Sequence, residues 1–346
     1  MASLSDISRH AGVSIATCSR VLNGSDHPVS EATRTRVMKA AEELGYAPSA
    51  LARALVTRSS RIIGVIVGDI VDPYFAEIAR GVEEVGADRG YMTMVCSAKA
   101  GTEAELSHLR QLRDYHAAGI VFAGSGRQND PGAAEVAEAV AEAHHRGAVV
   151  VALAQRDFDA PRILFDNEAA AHDITAHVRD LGHERITFVD GPEGLHTSVL
   201  RRRGFTRAGG TDRIPGGFAY EDGVRAAEAL LARDELPDAV VAANDETAIG
   251  VLMRFREAGV DVPGRVSVTG IDDTRPARFV GLTTVTVPLH EMGRRAAQAV
   301  LGGPNGGDVV LPHQLAPRAT TRARTARSAR RSAATAPAAA SPRSPG

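Results

Sequence analysis

The chain has no tryptophan, and aromatic residues make up only 4% of its 346 positions, so its cores must be built mainly from aliphatic side chains. Its two cysteines, Cys18 and Cys96, stand far apart. This excludes a disulfide framework or a thiolate zinc spacing and fits a reducing cytoplasm. Apolar runs are short and broken by glycine or charge, which rules out a transmembrane helix by sequence. A signal-peptide core is missing as well, because Asp6 and Arg9 fall where one would lie. Signatures of catalysis are equally scarce. No G-x-G-x-x-G follows the first strand pattern, and there is no P-loop or G-x-S-x-G. His290-Glu291 lacks a second histidine at metalloprotease spacing, His144 and His145 point to different faces of one helix, and Glu83-Glu84 lie on a helix surface. No enzyme centre, metal site or bound cofactor is expected.

Net charge is also nearly absent, at −2, but this balance hides an asymmetry. Residues 1–61 carry +3, residues 318–346 carry seven arginines and no acid, and the body between them carries −12. Basic ends on an acidic body confine contact with a polyanion to the ends. The length exceeds one ordinary core and predicts two or three domains, with 44% hydrophobic residues available to fill them.

The chain is organised around residues 3–23, SLSDISRHAGVSIATCSRVLN. Ser3, with Asp6 three positions on, predicts a capped helix start, since side-chain oxygens satisfy the free N–H groups of a first turn. Leu4, Ile7, Ser8 and Ala11 recur at helical spacing, and Gly12 supplies the permissive backbone of a helix end. Ser14 caps a second helix running from Ile15 to about Leu22. Cys18, Val21 and Leu22 turn inward, whereas Ala16, Thr17, Arg20 and Asn23 fall on or near one polar side. Short side chains in the first turn, with an arginine one turn later, suit a helix that approaches base edges in a groove. A surface helix pair of no special purpose shows the same pattern, so periodicity alone leaves DNA binding open.

A third helix, about Glu31–Leu44, is capped by Ser30 and turns Val37, Ala40, Ala41 and Leu44 to its core, with Arg34, Arg36 and Lys39 elsewhere. Ser49–Val56 is a short helical stretch with little core of its own, marginal in isolation. From Arg61 the pattern changes to strands alternating with helices. IIGVIVGDI (62–70) is a buried-strand run, Pro73–Asp88 an amphipathic helix, and Tyr91–Cys96 the next strand. The alternation repeats through Ala148–Leu153, and a second round starts near Ile163 and ends with a late helix, Glu291–Leu301. Such βαβα order predicts doubly wound parallel sheets. Past Thr321 the composition collapses to Ala, Arg, Ser, Thr and Pro and predicts a disordered tail.

The run AGVSIATCSRVLNGSDHPVSEATRTRVMKAAEELGYAPSALARAL resembles the DNA-binding headpiece of the lactose/galactose-repressor family of bacterial transcription regulators. IGVIVGDIVDPYFAEIARGVEE, LGHERITFVDGP, AVVAANDETAIGVL and VSVTGIDDT resemble that family's regulatory domain in order, extending the resemblance over roughly residues 3–320. It implies an α/β architecture with an all-α helix-turn-helix headpiece and a two-lobed, periplasmic-binding-protein-like core. The domain organisation is then 1–47 headpiece, 48–61 hinge helix and linker, 62–320 effector-binding and dimerisation domain, and 321–346 tail. It also implies a homodimer reading a pseudo-palindromic duplex operator, with no membrane partner. Ser3, Ser14, Ile15, Ala16, Thr17, Arg20 and Asn23 are the expected DNA contacts. Ile15 and Ala16 would set base preference, Ser3 and Thr17 hold phosphates, and Arg20 read a guanine edge. Leu55 would be driven between base pairs in the minor groove.

The same resemblance places contacts to a small-molecule effector, a sugar or sugar derivative, at Tyr74, Phe75, Gln155, Arg201, Phe218, Asn244 and Asp272. Aromatic faces would pack apolar ring surface, and Arg, Asn and Asp would hydrogen-bond hydroxyls. Two departures stand out. Gln155 replaces an acidic residue common at its position, and TRAGGTDRIPGG, between Phe205 and Phe218, is shorter than the family's helix-plus-strand segment. The sequence thus reads as a ligand-responsive DNA-binding repressor. The alternatives sharing such a core are a solute-binding receptor and a sugar-processing enzyme.

Overall fold

The structure, a computed structural model, describes residues 2–23, 28–46, 60–99, 101–302 and 307–324. Leu55 and most of the expected hinge lie outside these residues, and of Asn23 only the backbone is described.

Three helices form the headpiece: α1 (Leu4–Ala11), α2 (Ile15–Asn23) and α3 (Glu31–Glu43). Their apolar stripes meet around Ile7, Ala11, Cys18, Val21, Val37, Ala40 and Ala41, all buried. Gly12 ends α1 in the left-handed region, at φ 63° and ψ 37°, which a side chain at that position would resist.

The first lobe follows with β1 (Ile62–Val67), α4 (Pro73–Asp88), β2 (Met92–Ser97), α5 (Thr102–Asp114), β3 (Gly119–Phe122), α6 (Ala133–His145) and β4 (Val149–Ala152). Its parallel sheet has the order β2-β1-β3-β4. β1 and β3 are β-branched and buried because helices cover both sheet faces. The chain then crosses through β5 (Ile163–Phe165) into the second lobe. This is built from α7 (Asn167–Asp180), β6 (Ile186–Val189), α8 (His196–Arg207), β7 (Asp212–Ile214), α9 (Tyr220–Leu231), β8 (Ala239–Ala242), α10 (Asp245–Glu257), β9 (Ser267–Thr269) and α11 (Arg275–Val280). Its sheet, also parallel, has the order β7-β6-β8-β9.

The shortened 205–218 segment still completes a helix and a three-residue edge strand, and it returns Phe218 to the space between the lobes. After β10 (Thr284–Thr286), however, the chain departs from two successive halves. The late helix α12 (Leu289–Gly302) returns to the first lobe and lies along α4. Contact is backbone to backbone: a Cβ on Gly81 would stand 2.1 Å from the His290 carbonyl oxygen, and one on Gly293 2.1 Å from that of Ile78. The apolar stripe of α12 (Met292, Ala296, Ala297, Val300) is visible in sequence, but which sheet it covers is not. Two short strands finish the described chain: β11 (Val309–Leu311), parallel to β5, and β12 (Gln314–Ala316), antiparallel to β10.

Residues 321–324, assigned by composition to the tail, pack on the second lobe instead. The Arg324 backbone N–H donates to the Leu181 carbonyl, and its guanidinium lies 2.7 Å from buried Asp238. Arg322 donates to the Gly264 carbonyl oxygen. Composition misplaces this edge because each arginine finds a buried or backbone acceptor that composition cannot register.

Candidate functional site

The headpiece presents one face of α2. Ser14 caps it, its Oγ accepting from the Thr17 backbone N–H at 3.1 Å and lying 2.9 Å from the Thr17 hydroxyl. Ser14, Ile15, Ala16 and Arg20 are exposed, and Thr17 is half-buried. Ile15 leaves half of its surface in water, apolar area that the three-helix core does not use. On α1, Ser3 and Asp6 form the reciprocal capping box that their spacing predicts, with the Ser3 N–H donating to Asp6 Oδ2 at 2.9 Å. The Ser3 hydroxyl and N–H, together with Arg9, lower the Asp6 carboxyl to about 2. Behind this face His10 on α1 lies 2.7 Å from Glu43 on α3, tying the two supporting helices together. The arrangement is a helix pair whose second member shows its N-terminal half and one arginine outward, which is what a groove-reading helix requires.

Between the lobes lies a cavity of about 340 Å³, walled by loops at the carboxyl ends of both sheets. Ligands bind at this place in doubly wound folds, because strand-end loops converge there with free backbone groups. Tyr74 and Phe75, one edge-on to the other with centroids 5.0 Å apart, enter from the first lobe at the start of α4. Arg201, Phe218, Asn244 and Asp272 enter from the second.

Arg201 is fully buried. Its Nε donates to Asn167 Oδ1 at 2.8 Å, one Nη to the Ala243 carbonyl oxygen and the other to Asp272 Oδ1 at 3.0 Å. Its guanidinium also lies between the Phe165 and Phe218 rings, 5.7 and 5.9 Å from their centroids. Asn244 caps α10, accepting from the Thr247 N–H at 3.0 Å and donating to the Phe218 carbonyl oxygen at 2.9 Å. It therefore fixes the backbone that carries Phe218. Burial raises the Asp272 carboxyl well above the usual carboxylate range, and Arg201 opposes the rise.

Gln155 does not join this group. It is exposed, and its Oε1 accepts from Arg162, which is paired with Asp308. The physical reason is chain parity: beyond β4, residues 154 and 156 face the cavity, and 155 faces out. Arg156 takes the inward place. It is held at 2.8 Å by Glu105 Oε1, at 3.1 Å by the Gly124 carbonyl oxygen, and over the Phe122 ring at 4.9 Å. Sequence reasoning missed Arg156, although counting alternate residues from the strand would have found it. It also missed Asp72, the cap of α4, whose carboxyl burial pushes up to about 6. Glu246, in the first turn of α10, went unnoticed too. Burial, then the charges of Asp72 and Asp245, bring it to about 7.

A backbone clasp closes one side of the cavity. Gln128 N–H donates to the Gly194 carbonyl at 2.8 Å, His196 N–H to the Gly126 carbonyl at 3.0 Å, and Thr197 N–H to Ser125 Oγ at 3.2 Å. In each pair one partner lies in the loop 125–128 of the first lobe and the other in the segment 194–197 of the second. The angle between the lobes is thus set by breakable hydrogen bonds as well as by the connecting strands.

Fold and site together define a two-lobed, ligand-binding core joined to a helix-turn-helix DNA reader. Residues 3–49 match the family described as bacterial regulatory proteins, lacI family, and residues 175–325 match a periplasmic binding protein-like domain. The chain is 31% identical over 333 residues to catabolite control protein A of Priestia megaterium, covering 92% of this chain and 98% of that one. It is 32% identical to the transcriptional repressor CytR of Escherichia coli, covering 93% and 97%. Among solved structures it is similar to the lac repressor dimer bound to operator and an anti-inducer, with a TM-score of 0.78 at 25% identity over 93% of this chain and 99% of that one. The chain belongs to the lacI family of bacterial regulatory proteins. It is a DNA-binding transcriptional repressor, and its relatives are regulators, not enzymes. Among the described residues no helix is long and apolar enough to cross a membrane.

Proposed function

We propose that this repressor acts in the cytoplasm as a homodimer whose paired headpieces read a pseudo-palindromic operator, and that a sugar-like effector in the interlobe cavity controls its affinity. The observation that carries the DNA half is the outward face of α2, where Ser14, Ile15, Ala16, Thr17 and Arg20 stand clear of the headpiece core. Ile15 and Ala16 supply apolar contact to thymine methyls, Arg20 pairs with a guanine edge, and Ser3 and Thr17 hold phosphates. Asn23 adds a further contact to the same duplex, and Leu55 wedges the minor groove between half-sites. The effector half rests on the cavity that Tyr74, Phe75, Arg201, Phe218, Asn244 and Asp272 line from both lobes. A ligand that favours one interlobe angle changes the spacing of the paired hinges, and a differential affinity of about 1–3 kcal/mol suffices for such coupling. Two relatives with known ligands support this reading: one solved structure is a cellobiose complex of a transcriptional regulator, and another holds operator DNA.

A duplex selected from random DNA provides the test. Arg20→Ala is expected to weaken binding to that duplex by about 1–3 kcal/mol while barely changing affinity for unrelated DNA. Equal losses on both would reduce Arg20 to a phosphate contact. Leu55→Ala is expected to lower affinity and bending on the selected duplex. A variant that bends it as before removes the wedge.

A further inference from the structure

The cavity's charges indicate what it accepts. Each cationic side chain lining it is already engaged: Arg201 by Asp272, Arg156 by Glu105, Lys99 by Asp69 at 2.7 Å, and Arg127, at the rim, by the Glu193 carbonyl oxygen. An anionic ligand would have to displace one of these partners. The acceptor side is different. Asp72, a cavity residue, accepts the Tyr74 backbone N–H at 2.9 Å and has no ion pair like those of Asp69, Glu105 and Asp272. Glu246, within electrostatic reach of Asp72, keeps a buried Oε1 with no hydrogen-bond partner. Tyr74, Phe75 and Phe218 line the same volume. A carboxylate with no ion-pair contact, in a cavity that aromatic rings also line, is the chemistry that receives an ammonium, through charge-assisted hydrogen bonds and the negative face of the rings. A neutral polyol brings O–H donors but no charge to pair with the carboxylate.

We propose that the effector is a hydroxylated amine of the amino-sugar kind, its ammonium received by Asp72 and its hydroxyls by Asn244 and Asp272. This rests on the reading of the cleft as the effector site. The full chain is titrated calorimetrically with glucosamine, galactosamine and mannosamine, each beside its parent hexose and the hexose 6-phosphate, and affinity for the selected duplex is measured with every compound. At least one amine is expected to bind about tenfold more tightly than its parent, the gain of one charge-assisted hydrogen bond, and the phosphates more weakly than either. Asp72→Asn, which preserves the helix cap, is expected to bring that amine down to its parent's affinity. Parent or phosphorylated sugars binding as tightly as the amines, a preference that survives Asp72→Asn, or no amine binding at all, would each overturn the proposal. If a parent sugar binds and alters affinity for the duplex while its amine does not, the amine proposal fails and the cleft remains the effector site.

Discussion

Arg201 has three separate acceptors, and removing it leaves Asp272 as a buried carboxylate with no counter-ion. Breaking one side of such a pair typically costs about 3–5 kcal/mol, far more than an exposed pair. Arg201→Ala is therefore expected to lower the unfolding free energy of the full chain, read from urea denaturation, by that order, and Arg201→Lys to restore only part of it, since an ammonium cannot reproduce the fork. A variant as stable as the parent would mean that water or a rearranged side chain serves Asp272. At this scale the sequence was partly readable. Ser3 and Asp6 announced their cap by spacing alone, and Cys18 and Val21 their burial by periodicity. Gln155 and Arg156 could not be sorted by residue type, because one step of extended chain decides which of them faces the cavity.

Among the elements, α4 and α12 approach closely enough that a methyl group on Gly81 would overlap the His290 carbonyl oxygen. Gly81→Ala must push the helices apart, at a cost of roughly 1–3 kcal/mol from overpacking. Chemical denaturation of the variant should show this as an earlier midpoint, and an unchanged one would mean that the helices slide without loss. The strands and helices of the first lobe were legible, whereas α8, α9 and α11 of the second were not read from the sequence. Pro73–Asp88, for instance, has its predicted bounds, because an Asp-Pro start and a clean apolar stripe mark it. The partner of α12 was not legible, since a stripe of alanine and valine fits either sheet equally well.

For the molecule as a whole, acidity acts on the headpiece and core in opposite directions. Asp6, lowered from 3.8 to about 2, contributes stability present above its unfolded value and lost as pH falls through about 2. In the core, burial raises Glu246 from 4.5 to about 7 and Asp72 from 3.8 to about 6. Groups raised in this way hold protons that the unfolded chain releases. Their contribution is complete below the unfolded values and is lost as pH rises through about 6 to 7. Glu246→Gln, which mimics the protonated form, is expected to flatten that decline. The check is the urea midpoint of variant and parent at pH 5 and pH 8, where the difference between the two proteins isolates this group. An identical decline in both would show that Glu246 does not titrate in this window.

The return of α12 to the first lobe also bears on how the protein is made. Residues 62–152 leave the ribosome with one face of their sheet only partly covered: α4 lies over β1 and β2, but the helix that covers β3 and β4 beside it is not translated until residues 289–302. The amino-terminal lobe must therefore wait through synthesis of the whole second lobe before it can close. During that interval the apolar side chains on β3 and β4 that α12 later covers stay exposed, the kind of surface through which partly folded chains aggregate.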